Sequence, residues 1–426
     1  MNIEELHGLV MGATGVTTDS RNCPKGSIFF ALKGASFDGN NYATTALERG
    51  CSYAIVDRVV GTDPHLILVD NVLETLQKIA HYHRSQFNIP VLAITGTNGK
   101  TTTKELVNAV LRRKYNVLCT QGNFNNHIGV PLTLLNMHRN HDIAVIEMGA
   151  NHSGEIEALC NIANPNYGLI TNVGKAHLEG FGSFMGVIET KSELYRYLEK
   201  KNCRIFINPE NQFLTTALNG YENTIYYDPA AISMFPDKSM LTYRWTRGIV
   251  ETHLCGDYNY ENILAAIAVG QYFKIASGDI HQAISEYIPS NNRSQITKTA
   301  RNTLIVDTYN ANPTSMTASI RNFSRMACPG TLKIAILGDM WELGVESEPE
   351  HRTIVQMLRN SRIERVLLVG QEFGKAITGT NLPEYIRHFE TREDLEIYLQ
   401  SNHISNATVL IKGSRGMTLE KLIDKL

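Results

Sequence analysis

The sequence lacks the features that mark secreted, membrane-spanning and nucleic-acid-binding proteins. Its seven cysteines are scattered and form no C-x-x-C pair, so neither a disulfide framework nor a zinc site is predicted. No apolar segment approaches the width of a bilayer, and the opening stretch MNIEELHGLV has neither the basic start nor the apolar run of a signal peptide. The formal net charge is −2 and no long basic run is present, which disfavours a nucleic-acid partner. We therefore expect a cytoplasmic protein that does not insert into a membrane.

Length and composition predict a globular protein of several domains. The chain has 426 residues, of which 43% are hydrophobic and 19% charged, enough for more than one core. Short strands and turns fill the first part, and strands then alternate with helices, which predicts mostly parallel sheets. A polar, turn-rich run near Pro289 interrupts this rhythm. We predict an α/β fold with three domains: a mixed domain at 1–88, a central domain at 89–298 and a Rossmann-like domain at 299–426.

The most informative stretch is VLAITGTNGKTTTKE, at positions 91–105. An apolar strand enters a turn that contains Gly96 and Gly99, and an amphipathic helix pattern follows. Backbone N–H groups of such a turn close on an anion, and the helix N-terminus adds partial positive charge. Lys100 can then reach terminal phosphates, and Thr101 offers a hydroxyl to Mg²⁺. The spacing G-x-x-G-K-T is shorter than the standard phosphate loop, but it predicts ATP binding. Kinases, motors and ligases all contain such loops, so the loop alone names no reaction.

Two further polar side chains follow predicted strands of the central domain. Glu147 ends the run IAVIE, where a carboxylate can hold Mg²⁺ directly or through water; capping of the next helix is the alternative. His177 lies just past another strand, where a neutral imidazole can coordinate a second metal ion. A lone loop histidine more often serves the surface or the packing. We expect both side chains at the same edge of the sheet.

Of four more polar residues, three allow two interpretations each. Lys191 falls in a helical pattern, where a solvated lysine is the default interpretation. Asn259 and Asn262 are three residues apart, which places both amides on one helical face, either to bind a nucleotide or to cap the helix. Asp307 ends a predicted strand and precedes a predicted turn at 312–313. Its carboxylate either holds a ribose hydroxyl or caps the following helix.

Longer segments resemble the Mur ligase family along nearly the whole chain. TTDSRNCPKGSIFFALKGASFDGNNY resembles the family's uridine-nucleotide domain. TGTNGKTTTKE, GNFNNHIGVPLTLL, VIEMGANHSGEI and TNVGKAHLEGFGS are similar to its central ATPase domain. DTYNANPTSM, LGDMWELG and LIKGSRGMTLEKL resemble its C-terminal domain. DTYNANP and GDMWELG are typical of the members that add D-alanyl-D-alanine, because sister ligases carry different residues there.

The resemblance implies roles for the residues of the metal and ATP sites. Thr101 and Glu147 would hold one Mg²⁺, and His177 and Lys191 a second, with Lys191 carbamylated by CO₂. A neutral, desolvated lysine amine captures CO₂ and becomes an anionic oxygen ligand that suits Mg²⁺. The implied catalytic residues are Lys100, Glu147, His177 and Lys191. The implied ATP contacts are Gly96, Thr97, Asn98, Gly99, Lys100, Thr101, Thr102, Asn259, Asn262, Arg293 and Asp307.

The resemblance also implies substrates. Ser20 and Arg21 would bind a uridine diphosphate, and Asn125 and Asn126 would line the substrate channel. Two departures from the family pattern are Val306, where relatives often carry a second aspartate, and Arg293, which lies in a looser version of the family's arginine segment.

The implied reaction is an ATP-dependent amide ligation by a monomer. The γ-phosphoryl group passes to the carboxylate of UDP-N-acetylmuramoyl-tripeptide, and the amine of D-alanyl-D-alanine attacks the acyl phosphate. The product is the pentapeptide precursor for peptidoglycan synthesis, and hence for cell-wall growth, cell shape and division. Folylpolyglutamate synthetase is an alternative, because it shares the loop and the acyl-phosphate logic, but it begins directly with the ATPase domain. A non-catalytic nucleotide-binding regulator is disfavoured by the intact set of polar residues.

Overall fold

Strands and helices alternate along the chain, and the predicted α/β fold is confirmed. The computed structural model describes residues 1–235, 240–246, 248–290 and 292–426. Its strands are β1 Val16–Thr17, β2 Ile28–Phe30, β3 Lys33–Gly34, β4 Phe37–Asp38, β5 Tyr53–Val56, β6 Leu66–Leu68, β7 Val91–Thr95, β8 Val117–Cys119, β9 Ile143–Glu147, β10 Tyr167–Ile170, β11 Arg204–Ile207, β12 Thr224–Tyr226, β13 Ile232–Met234, β14 Thr242–Trp245, β15 Gly248–Glu251, β16 Gln295–Lys298, β17 Asn302–Asp307, β18 Leu332–Gly338, β19 Arg365–Val369, β20 Ile386–Phe389 and β21 Ala407–Lys412.

The helices fill the intervals between these strands. They are α1 Ile3–Gly12, α2 Ala43–Glu48, α3 Val72–Ser85, α4 Lys100–Leu111, α5 Gly129–Leu134, α6 Glu155–Ala163, α7 Leu178–Phe181, α8 Phe184–Lys191, α9 Glu193–Lys200, α10 Gln212–Ala217, α11 Asn259–Tyr272, α12 Ser277–Glu286, α13 Pro313–Arg325, α14 Ser347–Arg359, α15 Gln371–Ile377 and α16 Arg392–Ser401. In the described part of the chain, no helix is long and apolar enough to cross a bilayer.

Two compact units interleave along the sequence. The first comprises Met1–Ala93, Tyr115–Gly149 and Glu155–Tyr167, and the second comprises Ile94–Lys114, Ala150–Gly154 and Gly168–Leu426. The domain boundaries predicted near residues 88 and 298 stay predictions.

The first unit contains a parallel sheet in the order β1-β2-β5-β6. All three residues of β2 are buried, because its apolar run faces a core that includes Phe29 and Ala54. Helix α3 begins at a cap in which the Asn71 side chain accepts from the backbone N–H of Glu74. The same unit holds the parallel pair β8 and β9, in which Val117 lies opposite Ile143.

Strands β7 to β12 form a six-stranded sheet in the order β12-β11-β10-β7-β9-β8. Strands β7 and β9 are buried along their whole length, as expected for apolar runs in a parallel sheet. In the second unit, β11 pairs with β12 in parallel, and α4 packs against α11. A small antiparallel sheet, β13-β14-β15, follows and was not predicted from the sequence.

The last sheet has the order β16-β17-β21-β18-β19-β20. Only β16 at its edge is antiparallel to its neighbour. The other pairings are parallel, so the carboxyl ends of β17, β18, β19 and β21 share one edge, where ligands bind in open α/β sheets.

Two local predictions need correction. The helical stretch predicted through Lys191 is two helices, and Lys191 is the last residue of α8 rather than a mid-helix residue. The turn predicted at 312–313 is the start of α13. Asn312 is its N-cap and Pro313 its first residue, a position that suits proline because the first helical N–H has no intrahelical partner.

Candidate active site

The ATP loop, defined as residues 96–101, requires glycine at two places. Gly96 has φ 140°, and a Cβ atom there would lie 2.0 Å from the Thr171 Oγ1 atom. Gly99 has φ 77° and directly precedes α4; a Cβ atom there would lie 2.4 Å from the Asn262 Oδ1 atom. The left-handed backbone and the close approach together make a side chain at Gly99 unfavourable. The loop therefore forms a tight turn that leads directly into a helix N-terminus, which is the arrangement that binds phosphate.

A segment after β10 holds the backbone of the ATP loop. The Thr97 N–H donates to the Asn172 carbonyl at 2.9 Å, and the Asn98 N–H donates to the Asn172 side-chain oxygen at 3.0 Å. The Thr171 hydroxyl donates to the Asn98 carbonyl at 2.6 Å, and the Gly174 N–H donates to the Thr97 hydroxyl at 3.0 Å. No pattern in the sequence pointed to these partners, although they belong to the segment TNVGKAHLEGFGS that resembles the family's ATPase domain.

Lys100 begins α4, and its ammonium group lies over the ATP loop. Its Nζ atom donates to the carbonyl oxygens of Gly96 at 2.9 Å and Thr97 at 3.0 Å. Thr101 is buried in the first turn of α4. The cation and the helix N-terminus are thus brought together, as phosphate binding requires.

Asn259 and Asn262 share one face of α11, as predicted. The Asn262 amide donates to the Asn259 side-chain oxygen at 2.9 Å, and Asn262 accepts from the Thr103 hydroxyl at 2.9 Å. The Asn259 amide donates to the Cys255 carbonyl at 2.8 Å. No side-chain hydrogen bond caps α11, so the capping interpretation is wrong; the two amides join α11 to α4. Their contact with a nucleotide stays a prediction.

His177 and Lys191 both pack on the ring of Phe181. The ring centroids of His177 and Phe181 lie 6.1 Å apart, and the Lys191 Nζ atom lies 5.0 Å from the Phe181 centroid. Lys191 is 2% exposed and donates to the Ala150 carbonyl at 3.1 Å. The interpretation of Lys191 as a solvated helix lysine is therefore wrong, because the end of α8 points its side chain inward.

The His177 Nδ1 atom lies 2.5 Å from the Oε2 atom of Glu342, in the GDMWELG segment. The carboxylate lies off the axis of the ring N–H, so this is a close polar contact rather than an aligned hydrogen bond. The imidazole holds the pKa of Glu342 below its usual value, against the opposing effect of burial. Glu342 was not predicted as a site residue, although GDMWELG carries part of the family resemblance.

Glu147, in the first unit, is 1% exposed at the end of β9. Its carboxylate accepts from the Asn125 amide at 2.8 Å, and its N–H donates to the Thr120 hydroxyl at 3.0 Å. The Asn126 side chain accepts from the N–H groups of Ile128 at 3.1 Å and Gly129 at 2.9 Å, which holds the start of α5. The structure thus gives both asparagines positioning contacts.

Asp307 lies at the end of β17 and pairs with a buried lysine. The Lys412 Nζ atom, at the end of the neighbouring β21, lies 2.6 Å from the Asp307 Oδ2 atom. The cap of α13 is made by Asn312, so the interpretation of Asp307 as a helix cap is wrong. Asn312 also donates from its side chain to the Asn98 side-chain oxygen at 2.8 Å, which joins this motif to the ATP loop.

Arg293 stacks on Tyr309 of the same motif. Its guanidinium carbon lies 3.6 Å from the Tyr309 ring centroid, and that of Arg415 lies 5.4 Å from the same centroid. Two cations are therefore held at one aromatic ring near the end of β17. This arrangement suits an anionic ligand.

Ser20 and Arg21, in the first unit, form an exposed turn. The Arg21 Nε atom donates to an Asp19 carboxylate oxygen at 2.9 Å, and the Arg21 side chain is 85% exposed. The Ser20 carbonyl accepts from Arg49 at 2.7 Å. Arg21 holds the pKa of Asp19 at about 2, below its usual value.

The predicted Mg²⁺ ligands Thr101 and Glu147 offer oxygen donors, which are the donors that Mg²⁺ prefers. Within the described ranges, no three His, Cys, Asp or Glu side chains group as a metal site. Mg²⁺ does not need such a group, because it keeps several waters and binds through one or two carboxylates together with substrate phosphates. The buried carboxylate of Glu147 and the hydroxyl of Thr101 are donors of the right type.

A cavity of about 550 Å³ opens at the carboxyl ends of the last sheet. It lies beside the GDMWELG segment and is lined by residues that include Trp341, Glu342, Glu372, Thr391 and Thr418. Its volume is that of a small-molecule site.

Three family models match the chain in succession. They are the Mur ligase family catalytic domain at 13–93, the Mur ligase middle domain at 94–270 and the Mur ligase glutamate ligase domain at 292–415. The chain is 35% identical to the UDP-N-acetylmuramoyl-tripeptide–D-alanyl-D-alanine ligase of Bacillus subtilis strain 168, across 97% of this chain and 93% of that protein. The chain belongs to the Mur ligase family. The predicted family and three-domain architecture are confirmed.

Solved structures of Mur ligases have the same fold. MurF from Acinetobacter baumannii matches with a TM-score of 0.87 and 30% identity, covering 97% of this chain and 93% of that one. MurF ligase from Thermotoga maritima, solved in complex with ADP, matches with a TM-score of 0.82 and 26% identity, covering 96% of each chain. A folylpolyglutamate synthase from Mycobacterium tuberculosis shares the fold at 12% identity and a TM-score of 0.62, covering 83% of this chain and 94% of that one. The ADP complex of the Thermotoga maritima ligase and the match to the Mur ligase middle domain support ATP as the nucleotide of this Mur ligase.

Proposed function

We propose that this Mur ligase joins D-alanyl-D-alanine to UDP-N-acetylmuramoyl-tripeptide, with ATP converted to ADP and phosphate. The observation that carries the proposal is the hydrogen bond from Asn312 to Asn98. It connects the ATP loop with DTYNANP, the C-terminal motif that is typical of D-alanyl-D-alanine-adding members. The product supplies peptidoglycan synthesis from the cytoplasm, and the protein acts as a monomer of three domains, at 1–88, 89–298 and 299–426.

The first step activates a carboxylate. A carboxylate oxygen of the tripeptide attacks the γ-phosphorus of ATP, the bond to the β,γ-bridging oxygen breaks, and ADP leaves. Lys100 begins α4 and offsets charge on the phosphoryl oxygens as they transfer. Arg293, near the end of the central domain, and Asp307, in the C-terminal domain, bind the nucleotide, and the Arg293 stack on Tyr309 orients the guanidinium.

The second step forms the amide. The neutral amine of D-alanyl-D-alanine attacks the acyl carbon, the amine loses a proton, and phosphate leaves from the tetrahedral intermediate. The cavity beside GDMWELG is the place proposed for the dipeptide, because its volume of about 550 Å³ accommodates two alanine residues. Ser20 and Arg21 bind the uridine diphosphate of the other substrate, and Asn125 and Asn126 line its channel.

Mg²⁺, when bound, supplies charge neutralisation to the phosphate oxygens. Thr101 and Glu147 would hold one ion, and His177 and carbamylated Lys191 a second. The burial of Lys191 beside Phe181 supports its assignment, because carbamylation needs a desolvated amine.

The proposal is tested by phosphate release from ATP with each substrate alone and with both together. We expect release to require UDP-N-acetylmuramoyl-tripeptide and D-alanyl-D-alanine, and a pentapeptide product to be visible by mass. Release with a folate and glutamate instead would favour the folylpolyglutamate synthetase alternative. ATP binding without substrate-dependent release would favour a non-catalytic role.

A further inference from the structure

Glu342 projects from a loop whose backbone is fixed on both sides. The Met340 N–H donates to the His351 Nε2 atom at 3.0 Å, and the Trp341 N–H donates to the Ser414 hydroxyl at 2.9 Å. The Glu342 carbonyl accepts from the Glu179 N–H at 3.2 Å. The loop therefore presents the Glu342 carboxylate to His177 from a defined position.

The two residues meet in strained backbone conformations. His177 has φ 49° and Glu342 has φ 62°, both in the left-handed region that side-chain-bearing residues seldom adopt. The Oε2 atom lies 2.5 Å from Nδ1, although off the axis of the ring N–H, and the negative charge of the carboxylate at that distance favours a proton on Nδ1 over a lone pair. The contact thus selects the tautomer in which Nε2 keeps its lone pair.

We propose that Glu342 is a positioning residue that holds His177 with Nδ1 protonated and Nε2 available to a ligand. A carboxylate beside the distal N–H of a histidine restrains the orientation of the ring and raises the basicity of the other nitrogen. The inference rests on the proposed function, in which His177 serves a metal ion. It gives the GDMWELG motif a role in the phosphoryl-transfer half of the reaction.

A neighbouring ion pair provides a matched control. The Lys175 Nζ atom lies 2.5 Å from the Glu350 Oε1 atom, so the pair joins the segment that carries His177 to helix α14. Loss of Glu350 removes a docking contact of comparable length. A general effect of loosened docking should appear in both variants, whereas an effect on the imidazole should appear only at position 342.

The first experiment measures the histidine tautomer in the full chain without nucleotide or metal. Samples labelled with ¹⁵N at histidine would be compared, and the His177 signals identified by their loss in His177→Gln; the chain has 14 histidines. We expect Nδ1 protonation in the wild type and in Glu350→Ala, a weaker preference in Glu342→Gln and a mixture of tautomers in Glu342→Ala. An unchanged tautomer in a folded Glu342→Ala variant would overturn the proposal, whatever the outcome of the ligase assay.

The second experiment measures ligation against Mg²⁺ concentration. We expect Glu342→Ala to raise the Mg²⁺ concentration for half-maximal rate by about 10–100-fold, with Glu342→Gln in between and Glu350→Ala near the wild type. Glu342 also lines the cavity, so the KM for D-alanyl-D-alanine would be measured in parallel. A rise in that KM alone, or equal losses in the two Ala variants, would contradict a positioning role. Absence of ligation by the wild type would refute the proposed function and leave the tautomer result to stand by itself.

Discussion

The ATP loop and the turn at Ser20-Arg21 are both predicted binding segments, but the structure holds them in different ways. The loop is fixed by partners far along the chain, including Asn172 and Asn312. The turn is fixed mainly by its neighbour Asp19, which Arg21 contacts two residues away, with support from Arg49. The shape of the loop therefore depends on contacts between distant parts of the second unit, whereas the turn is largely a local structure.

This difference predicts which parts of the structure a substitution should disturb. Replacing a remote partner should disturb the ATP loop without changing a residue of the loop itself. Replacing a neighbour of the turn should alter one exposed side chain and little else, because exposed ion pairs contribute little to stability.

Removing the charge of Lys100 should have the largest effect. We expect Lys100→Met to lower kcat by about 10²–10³-fold, the loss typical of one electrostatic group at a transition state, while thermal unfolding changes little. Lys78→Met, at an exposed helix position, is the control and should leave kcat unchanged. Retention of more than a tenth of the wild-type kcat in Lys100→Met would argue against phosphate contact.

Gly99→Ala should come next, because it tests the close approach of a remote residue to the loop. The new Cβ atom would lie 2.4 Å from Asn262, in addition to the left-handed strain of about 1–2 kcal/mol. We expect a lower Tm and at least tenfold weaker ATP binding by calorimetry.

Gly122→Ala is the control for Gly99→Ala, since Gly122 has φ 52° with no heavy atom within 4 Å of a new Cβ atom. It should show the backbone strain alone. Equal losses of ATP affinity in the two variants would mean that the contact with Asn262 does not matter.

Asn312 tests the remote support of the loop with two substitutions. Asn312→Ala removes both the cap of α13 and the hydrogen bond to Asn98, so we expect a loss of about 0.5–2 kcal/mol in stability. Asn312→Asp keeps a capping oxygen but loses the N–H donor. We expect it to retain the wild-type Tm and to lower kcat/KM for ATP by about fivefold, the value of one net hydrogen bond. A wild-type kcat/KM in Asn312→Asp would show that this contact does not support the loop.

The difference between local and remote contacts also explains which features could be predicted from the sequence. The Gly96 to Thr101 segment was predictable because the strand, the glycines and the helix pattern are adjacent in sequence. The ends of β9 and β17 were predictable because Glu147 and Asp307 each directly follow an apolar run in the sequence. The contacts of Asn172 with the loop and of Glu342 with His177 join segments that no local pattern connects. Lys191 shows the same limit, because helical spacing alone does not reveal that its side chain is buried.

The family resemblance added what local patterns could not. It selected one role for residues such as Asp307, for which the local sequence supported two interpretations equally. It did not reveal that Asp307 already pairs with buried Lys412, which is a property of the parallel register of β17 and β21. Asp307 therefore combines a structural contact with its proposed role at the nucleotide.

The smallest effect is expected from Asp19, which tests whether the turn is independent of the rest of the fold. Arg21 lowers the pKa of Asp19 from its usual value to about 2. The ion pair is therefore fully formed at any pH above the usual pKa of an aspartate, and it is lost only as the pH falls toward 2. Between pH 5 and pH 9, substrate binding should therefore show no titration from Asp19. Asp19→Asn should leave Tm unchanged and alter the KM for the UDP-linked substrate by about two- to threefold, since Arg21 loses an exposed partner but keeps its charge. A large fall in Tm, measured beside an Arg49→Gln variant, would show that the turn depends on distant packing as much as the ATP loop does.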